Sequence, residues 1–480
     1  MKDWGRRVRR QVRPAGRRVG GRLGCQIAHG AGWEMACKGY CGPLKKCYCT
    51  GPLAFQNMKT AQTVPPGTAP SLPLGDDRVG GRPPSHLVSF VLAMALAGAA
   101  VFGGYHWARD KEERLLHSVA PEFCDAKLHG VALIREALSR PDTLVFFGSS
   151  ELIPNVPMKG VDFFSGSPTG FTMFPVGKAG TTALSVLQKL GCAGDELVGK
   201  KVVISLSPSF FQSEEVDAKY FEGNSSKLQL KEFFGSDRFT DDLKHDVAVQ
   251  TLKYPRVFEG DWTLGFTLRC TAEGGAWNLF LLKIVEPYAA FNRAVGRMQD
   301  HVEAAFALNG EPELAAISAF RPQRGRLLNW DELFRMAEMQ SKTLAAKSRR
   351  GAPVVTRAKG SWDRQFVAKM HKAQEWRDFE LVLRLLKEAG AHPLILSMPL
   401  HADVLEAQGV SGAARVEYGA QLRALVSKYN APLVYFSDHE GDPVFFVDQN
   451  DHIGSKGWWY YNKVLDDFYH DRLSPPQVVP

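Results

Sequence analysis

A serine in the first third of the chain and a histidine near its end have the surroundings that acyl-transfer chemistry requires. Ser150 follows an apolar run and a glycine, and such a turn exposes a hydroxyl at the carboxyl edge of a sheet, where open α/β folds place their ligands. His452 has two carboxylates in its own loop, Asp448 and Asp451. A histidine that takes the serine proton, and a carboxylate that fixes the histidine tautomer, turn a weak hydroxyl into a nucleophile. The pattern predicts a serine acyl-transfer enzyme.

The alternatives at the serine turn are a neighbouring nucleophile and a purely structural role. Ser149 is the other candidate nucleophile, and Ser-Ser-Glu is also typical of a helix cap without chemistry. In the catalytic interpretation Ser150 begins the following helix, so that its own backbone N–H points toward the developing oxyanion. A second glycine turn, residues 177–182, supplies Gly180 as the other oxyanion donor, and it lacks the Gly-Lys-Ser/Thr frame of a nucleotide-binding loop.

Apolar, β-rich runs alternate with helical patterns on both sides of these segments. Four runs are predicted to be strands: 143–147, 201–208, 393–399 and 432–436. Three helices are predicted between them: one capped by Thr181, one ended by Gly390 and one around 411–428. This alternation predicts an α/β fold with a parallel sheet covered on both faces. Residues 212–370 lack the alternation and are predicted to form a mostly helical insertion, as a lid or a partner surface.

Residues 87–105 contain no charge and match the ~20 apolar residues that a helix needs to cross a bilayer core. Tyr105 and Trp107 follow at the position of interfacial aromatics, so we predict one transmembrane anchor over 86–107. A cleaved signal peptide would end in small residues, and a buried soluble helix rarely runs this far without a charge. The body from 113 to 476 is then expected outside the cytoplasm, on the side opposite the basic N-terminal segment.

The first 57 residues are basic, with twelve Lys and Arg against two acidic residues, whereas the remainder has a net charge of −2. Residues 1–85 are interpreted as a disordered basic and Pro/Gly-rich head, and Met58 is a plausible alternative start. The near-neutral body does not favour nucleic-acid binding. Five of the eight cysteines lie in this head, but their spacing does not form a zinc motif, so we predict no metal and no cofactor.

With these motifs in place, the chain resembles the DltD family of D-alanyl-lipoteichoic acid biosynthesis proteins, which is related to the SGNH/GDSL hydrolases. The resemblance rests on five segments in the same order: 146–152, 177–182, 202–211, 377–383 and 452–458. It implies an SGNH-hydrolase-like, flavodoxin-like α/β domain preceded by one transmembrane helix. It also implies a Ser/His/Asp triad, a membrane-bound O-acyltransferase partner (DltB-like), a D-alanyl carrier protein and an envelope glycopolymer as acceptor.

The resemblance carries Ser150 and His452 over directly, but the acid differs. The related families place an aspartate three residues before the histidine, where this chain has Gln449. Asp448 lies four residues before His452 and would reach it through a one-residue bulge, whereas Asp451 would have to fold back beside its neighbour. Asp448 is therefore the predicted acid, with Asp451 as the alternative. The asparagine of the third SGNH block is also absent, since Ser205-Leu-Ser207 occupies that strand end.

Three functions fit these residues. The leading prediction is a serine acyltransferase or thioesterase that passes D-alanine to teichoic acid or a comparable polymer. The alternatives are an SGNH-type polysaccharide O-deacetylase and a non-catalytic partner of the acyltransferase. A D-alanyl group carries an ammonium, for which Glu151 and the 448–451 loop are the candidate acceptors. Lys456 either binds an anionic substrate or lies on the surface at the start of a helix.

Overall fold

A computed structural model describes residues 86–309, 328–348, 356–449 and 451–473. The predicted head, the alternative start at Met58 and the five N-terminal cysteines lie outside these residues. The strands are β1 (Thr143–Phe147), β2 (Thr172–Val176), β3 (Lys201–Leu206), β4 (His392–Ser397) and β5 (Leu433–Tyr435). They form one parallel sheet in the order β2-β1-β3-β4-β5. This is the flavodoxin-like order, and it confirms the predicted fold class.

Helices cover both faces of the sheet and fill the long connection between β3 and β4. Those before β4 are α1 (His86–Leu115), α2 (Asp125–Leu128), α3 (Ala132–Ser139), α4 (Gly160–Gly166), α5 (Ala183–Gly191), α6 (Ala218–Asn224), α7 (Lys227–Phe234), α8 (Asp241–Thr251), α9 (Trp262–Glu273), α10 (Gly275–Asn309), α11 (Trp330–Ser348), α12 (Asp363–His371) and α13 (Gln374–Ala389). After β4 come α14 (Ala402–Ala407), α15 (Gly412–Ser427) and α16 (Ser455–Tyr469).

Strand β2 is absent from the sequence prediction, which placed one helix directly between β1 and β3. Pro175 lies inside β2 and lowers its strand signal because proline cannot donate to a ladder. The structure accommodates Pro175 because β2 is an edge strand, paired only with β1 among the described strands. The helix predicted to follow is α5, but Thr182 caps it rather than Thr181, because the Thr182 side chain accepts from the backbone N–H of Ser185.

Helix α13 shows why this amphipathic pattern packs on the sheet. Trp376, Phe379, Val382, Leu383 and Leu386 are all buried, and they join the main hydrophobic core with strand residues of β1 and β3. Each fully buried side chain of this kind contributes roughly 1.5–3 kcal/mol of transfer free energy. The helix ends at Gly390, whose φ of 68° is the left-handed conformation that glycine adopts at helix C-termini. The sequence prediction of this helix is confirmed.

The described part of the connection between β3 and β4 is helical, as predicted for its middle, and α11 within it contacts the start of α16. The indole N–H of Trp459 in α16 donates to the carbonyl of Trp330 in α11, at 3.0 Å. The Ser341 hydroxyl in α11 accepts from the backbone N–H of Lys456, at 2.8 Å. Helix α11 therefore holds the segment that follows His452.

Helix α1 is long and apolar enough to cross a membrane, and its first five turns contact little else in the protein. Its side chains are exposed from His86 to Trp107, and burial begins at Ala108 and Glu112. An apolar helix exposed over this length is stable in a bilayer rather than in water. Length and composition are thus consistent with the predicted single anchor.

Candidate functional site

The turn after β1 is held by a close approach between two backbones. The N–H of Gly148 donates to the carbonyl of Val176 at the end of β2, at 3.2 Å. Gly177 follows with φ of 154°, and a Cβ on it would lie 1.9 Å from the carbonyl oxygen of Gly148. Only glycine fits there, because any side chain would push the two turns apart. The two glycine motifs of the sequence therefore lie side by side at the carboxyl ends of β1 and β2.

The two serines of the turn have different environments. Ser149 is 2% exposed, and its hydroxyl has no hydrogen-bond partner within the described part of the chain. Ser150 is half-buried and begins a one-turn 3-10 helix, Ser150–Leu152. Ser150 is the more exposed of the two serines, which favours it as the nucleophile, and its role stays a prediction.

Glu151 is a buried brace of this turn and not a surface acceptor. Its side chain is 0% exposed, and its carboxylate accepts from the backbone N–H of Ser149 at 3.0 Å and from the hydroxyl of Ser205 at the end of β3. The Ser205 hydroxyl also lies 3.4 Å from that of Tyr461 in α16. Burial raises the pKa of Glu151, and these hydrogen bonds oppose the rise. Glu151 is therefore not on the surface, but its Oε1 has no hydrogen-bond partner among the described residues, so its role as an ammonium acceptor stays a prediction.

His452 lies in a short loop closed by strand-like pairing. Phe446 and Ile453 form an antiparallel bridge, and the N–H of Val447 donates to the carbonyl of His452 at 2.8 Å. Within this closed loop the Nδ1 of His452 lies 2.7 Å from the Oδ2 of Asp448. A carboxylate only accepts, so Nδ1 carries the proton and Nε2 is left as the basic nitrogen.

The Asp448 hydrogen bond raises the pKa of His452, and burial of the ring opposes this rise. Glu151 adds a further electrostatic attraction for the protonated ring, which places the histidine within range of the serine turn. Among the described hydrogen bonds none joins Ser150 to His452, a common situation before substrate closes a catalytic site. Serine turn, histidine and carboxylate nevertheless meet at one edge of the sheet.

Asp451 occupies the same loop in a different way. Its backbone is left-handed, with φ of 62°, a conformation that aspartate tolerates better than most residues. Its carboxylate accepts a backbone hydrogen bond from His401 rather than one from the His452 ring. Burial raises the pKa of Asp451 to about 7. The loop therefore places Asp448, and not Asp451, against the imidazole.

Gly180 lies in the turn that contacts the serine turn, and its surroundings fix its conformation. Its φ is 81°, and a Cβ would lie 2.4 Å from the ring of Tyr220. The Thr181 hydroxyl donates to the carbonyl of Lys178 at 2.7 Å and lies 3.1 Å from Asn224 Oδ1. The turn is thus rigid, as an oxyanion donor must be, and the roles of Gly180 and the Ser150 N–H as donors stay predictions.

Lys456 lies at the start of α16, as one of its two interpretations expected, but it is not on the surface. Its ammonium lies 2.7 Å from Asp442 and 3.8 Å from Glu338, and the side chain is 11% exposed. The lysine therefore links the start of α16 to α11, through Glu338, and to the loop that precedes the His452 segment, through Asp442.

The sequence did not predict that Ser205 and Tyr461 support the site. For Ser205 there was a signal, because a serine stands where the third SGNH block has its asparagine. No cluster of three or more metal-binding side chains occurs in the described ranges.

The fold and the site together define a class: a flavodoxin-like α/β protein with a serine, a histidine and an aspartate gathered at the carboxyl edge of its sheet. Within that class the DltD protein family model matches residues 120–470, and the chain belongs to this family.

Two curated relatives agree with this assignment. Protein DltD of Bacillus subtilis (strain 168) is 27% identical over 349 residues, which cover 71% of this chain and 86% of the relative. Protein DltD of Staphylococcus aureus (strain NCTC 8325 / PS 47) is 20% identical over 329 residues, covering 66% and 79% respectively.

Proposed function

We propose that this chain is a membrane-anchored serine acyltransferase or thioesterase in the D-alanylation of teichoic acid or a comparable envelope polymer. Membership of the DltD family supports the D-alanylation role. The observation that carries the chemistry is the 2.7 Å contact between His452 Nδ1 and Asp448, because it leaves Nε2 as the basic nitrogen of a ring that interacts with Glu151 of the serine turn.

In the proposed reaction the Ser150 oxygen attacks the carbonyl carbon of a D-alanyl thioester or ester. His452 Nε2 takes the serine proton, and its imidazolium is stabilised by Asp448. The N–H groups of Ser150 and Gly180 stabilise the oxyanion. Collapse breaks the bond to the leaving group, which takes the proton from His452, and leaves the D-alanyl group on Ser150. An acceptor hydroxyl, activated by the same histidine, then removes it and restores the serine.

The proposed setting follows from α1. Residues 86–107 anchor the chain in the cell membrane, and the body from 113 to 476 lies outside the cytoplasm. A membrane-bound O-acyltransferase of the DltB-like kind, a D-alanyl carrier protein and the acceptor glycopolymer are the proposed partners. The helical region 212–370 is the proposed insertion. The proposed ammonium acceptors are Glu151 and the carboxylates of the 448–451 loop.

The test compares substrates on the detergent-solubilised full chain. We expect turnover of a D-alanyl thioester to exceed turnover of a matched acetyl ester, because only the former carries an ammonium. Ser150→Ala should lose on the order of 10⁴-fold or more in turnover, since only binding and oxyanion effects remain. Ser149→Ala is the matched control and should retain most activity.

Two outcomes would overturn this proposal. Preference for the acetyl ester, together with unchanged envelope D-alanine after deletion of the gene, would favour the polysaccharide O-deacetylase. Equal activity of Ser150→Ala and the parent chain would favour the non-catalytic partner.

A further inference from the structure

Helix α10 carries a continuous apolar stripe on its exposed side. Large apolar side chains recur every three or four residues along its 35 residues, including Trp277, Phe280, Ile284, Phe291, Met298 and Phe306. At 3.6 residues per turn these positions fall within about a quarter of the helix circumference. Phe291 in the middle is 63% exposed and Phe306 near the end is 67% exposed. Soluble proteins rarely leave apolar surface of this length in water.

The opposite side of α10 is fixed to the body, so the stripe cannot turn inward. The Asp300 carboxylate accepts from the backbone N–H groups of Val131 and Ala132 at the start of α3, both at 2.7 Å. A Cβ on Gly296 would lie 2.8 Å from the Leu228 side chain, which shows how closely α10 packs on α7. The orientation of the stripe is therefore a property of the fold.

The end of α10 is joined to the end of the candidate membrane span. The His301 ring packs edge-on against Tyr105 at 5.1 Å, and its Nδ1 lies 2.7 Å from Glu112, which is 1% exposed. Tyr105 and Trp107 are the aromatic residues expected at the bilayer interface. The apolar stripe thus begins where α1 leaves the membrane.

The composition of the stripe matches an interfacial helix. Trp262 of α9 stacks on Tyr288 at 5.4 Å, and Trp277 lies at the far end, so aromatic side chains that favour the headgroup region occur along its length. The charged side chains of α10 lie off the stripe, and two of them point back to carboxylates: Arg293 to Glu286 at 2.6 Å and Arg297 to Glu232 at 3.4 Å.

From this geometry we infer that the exposed stripe of α10 lies in the surface of the lipid bilayer, as a second membrane contact beside α1. An amphipathic helix in this position buries its apolar side about 5–10 Å into the headgroup and acyl boundary. A body held at α1 and along α10 cannot swivel about a single helix, so its active-site edge keeps one height and one orientation above the membrane. The inference rests on α1 spanning a bilayer and does not depend on the serine chemistry.

The test uses the full chain in phosphatidylcholine/phosphatidylglycerol proteoliposomes. An environment-sensitive fluorescent amino acid replaces one residue at a time: Phe291 in the stripe, Leu92 in α1 and Val416 in α15. Val416 is the matched control, a large apolar side chain 65% exposed on the body. We expect spin-labelled lipid to quench the probe at 291 as it does at 92, with loss of quenching by aqueous iodide. The probe at 416 should show the reverse.

Each other outcome overturns the inference. Iodide access at 291 with protection at 92 means that α1 inserts and the stripe does not. Iodide access at both positions means that the anchor itself is absent. Protection at 291 without lipid quenching means that another copy of the chain covers the stripe. A second variant sharpens the result: Phe280→Asp should reduce lipid quenching of the probe at 291, and Val416→Asp should not. Turnover of the D-alanyl thioester, measured in parallel, reports separately on Ser150.

Discussion

The serine turn and the histidine loop reach the same edge of the sheet by different means. The conformation of the serine turn is fixed mainly by backbone contacts at the ends of β1 and β2. The N–H of Gly148 donates to the carbonyl of Val176, and Gly177 lies in contact with Gly148. The buried Glu151 carboxylate accepts from the backbone N–H of Ser149. The histidine loop is set by one isolated bridge, Phe446–Ile453, and by side chains. A site of this kind has one rigid half and one half whose geometry depends on a few local contacts.

This difference decides how each half responds to change. Apart from Ser150 itself, the residues of the serine turn act through backbone packing, so their substitution should change stability. In the histidine loop Asp448 acts through the ring, so its substitution should change proton transfer.

Apart from removal of the Ser150 hydroxyl, the largest effect is expected in the histidine loop. Asp448→Asn should lose on the order of 10⁴-fold in turnover. Without the carboxylate, the imidazole is no longer held in the tautomer with its proton on Nδ1, and the imidazolium that forms in the reaction is no longer stabilised. Asp448 raises the pKa of His452, and the active ring must be neutral, so the acid limb of the pH–rate profile should move to lower pH in this variant. Steady-state turnover of the D-alanyl thioester across pH 5–9 measures both effects.

Asp451→Asn is the matched control for that substitution, since it changes a carboxylate in the same loop. Its kcat should stay within about tenfold of the parent, because Asp451 does not bond to the ring, and loss of the proposed ammonium contact should appear in KM. A larger loss for Asp451→Asn than for Asp448→Asn would move the triad acid to Asp451 and would show that the loop rearranges on substrate binding.

The two halves also differ in how far the sequence determines them. An apolar run followed by Gly148 identified β1 and the serine turn, because local pattern alone places a strand end. Periodicity likewise identified α13 and the late strands. Strand β2 was not predicted because Pro175 weakens the sequence pattern of this edge strand. The burial of Glu151 was not predicted because it depends on Ser205 and Tyr461, which are distant in sequence. The sequence supported Asp448 over Asp451 only as a hypothesis. Which carboxylate faces His452 depends on the left-handed backbone of Asp451, and the sequence pattern does not predict that conformation.

A smaller effect, on stability, is expected in the serine turn. Gly177→Ala should reduce the free energy of unfolding by more than about 2 kcal/mol, because the new Cβ would collide with the Gly148 carbonyl. Gly199→Ala is the control: it also has positive φ, but its Cβ would meet nothing within 4 Å, so only about 1 kcal/mol of conformational cost is expected. Urea unfolding followed by circular dichroism separates them; equal losses would mean that the two turns do not press together.

A further effect is a pH dependence of stability that belongs to Asp451. Its folded-state pKa of about 7 lies above the ordinary value of 3.8, so the folded protein binds a proton that the unfolded chain releases. Stability from this group is therefore full below pH 3.8 and is lost as the pH rises toward and through 7. Asp451→Asn removes this loss, and asparagine tolerates the left-handed backbone.

The variant should consequently melt at a higher temperature than the parent at pH 8, and the two melting temperatures should converge as the pH is lowered to 4. Asp448→Asn, by contrast, should melt at a lower temperature than the parent below neutral pH. The hydrogen-bonded His452 has a raised pKa, so the stability of that pair is present in acid and is lost as the pH rises through the folded pKa. Thermal melts of the three chains at pH 4, 6 and 8 measure this contrast. Parallel curves for the parent and Asp451→Asn would mean that the Asp451 carboxylate is solvated, and that the loop is held by the Phe446–Ile453 bridge without it.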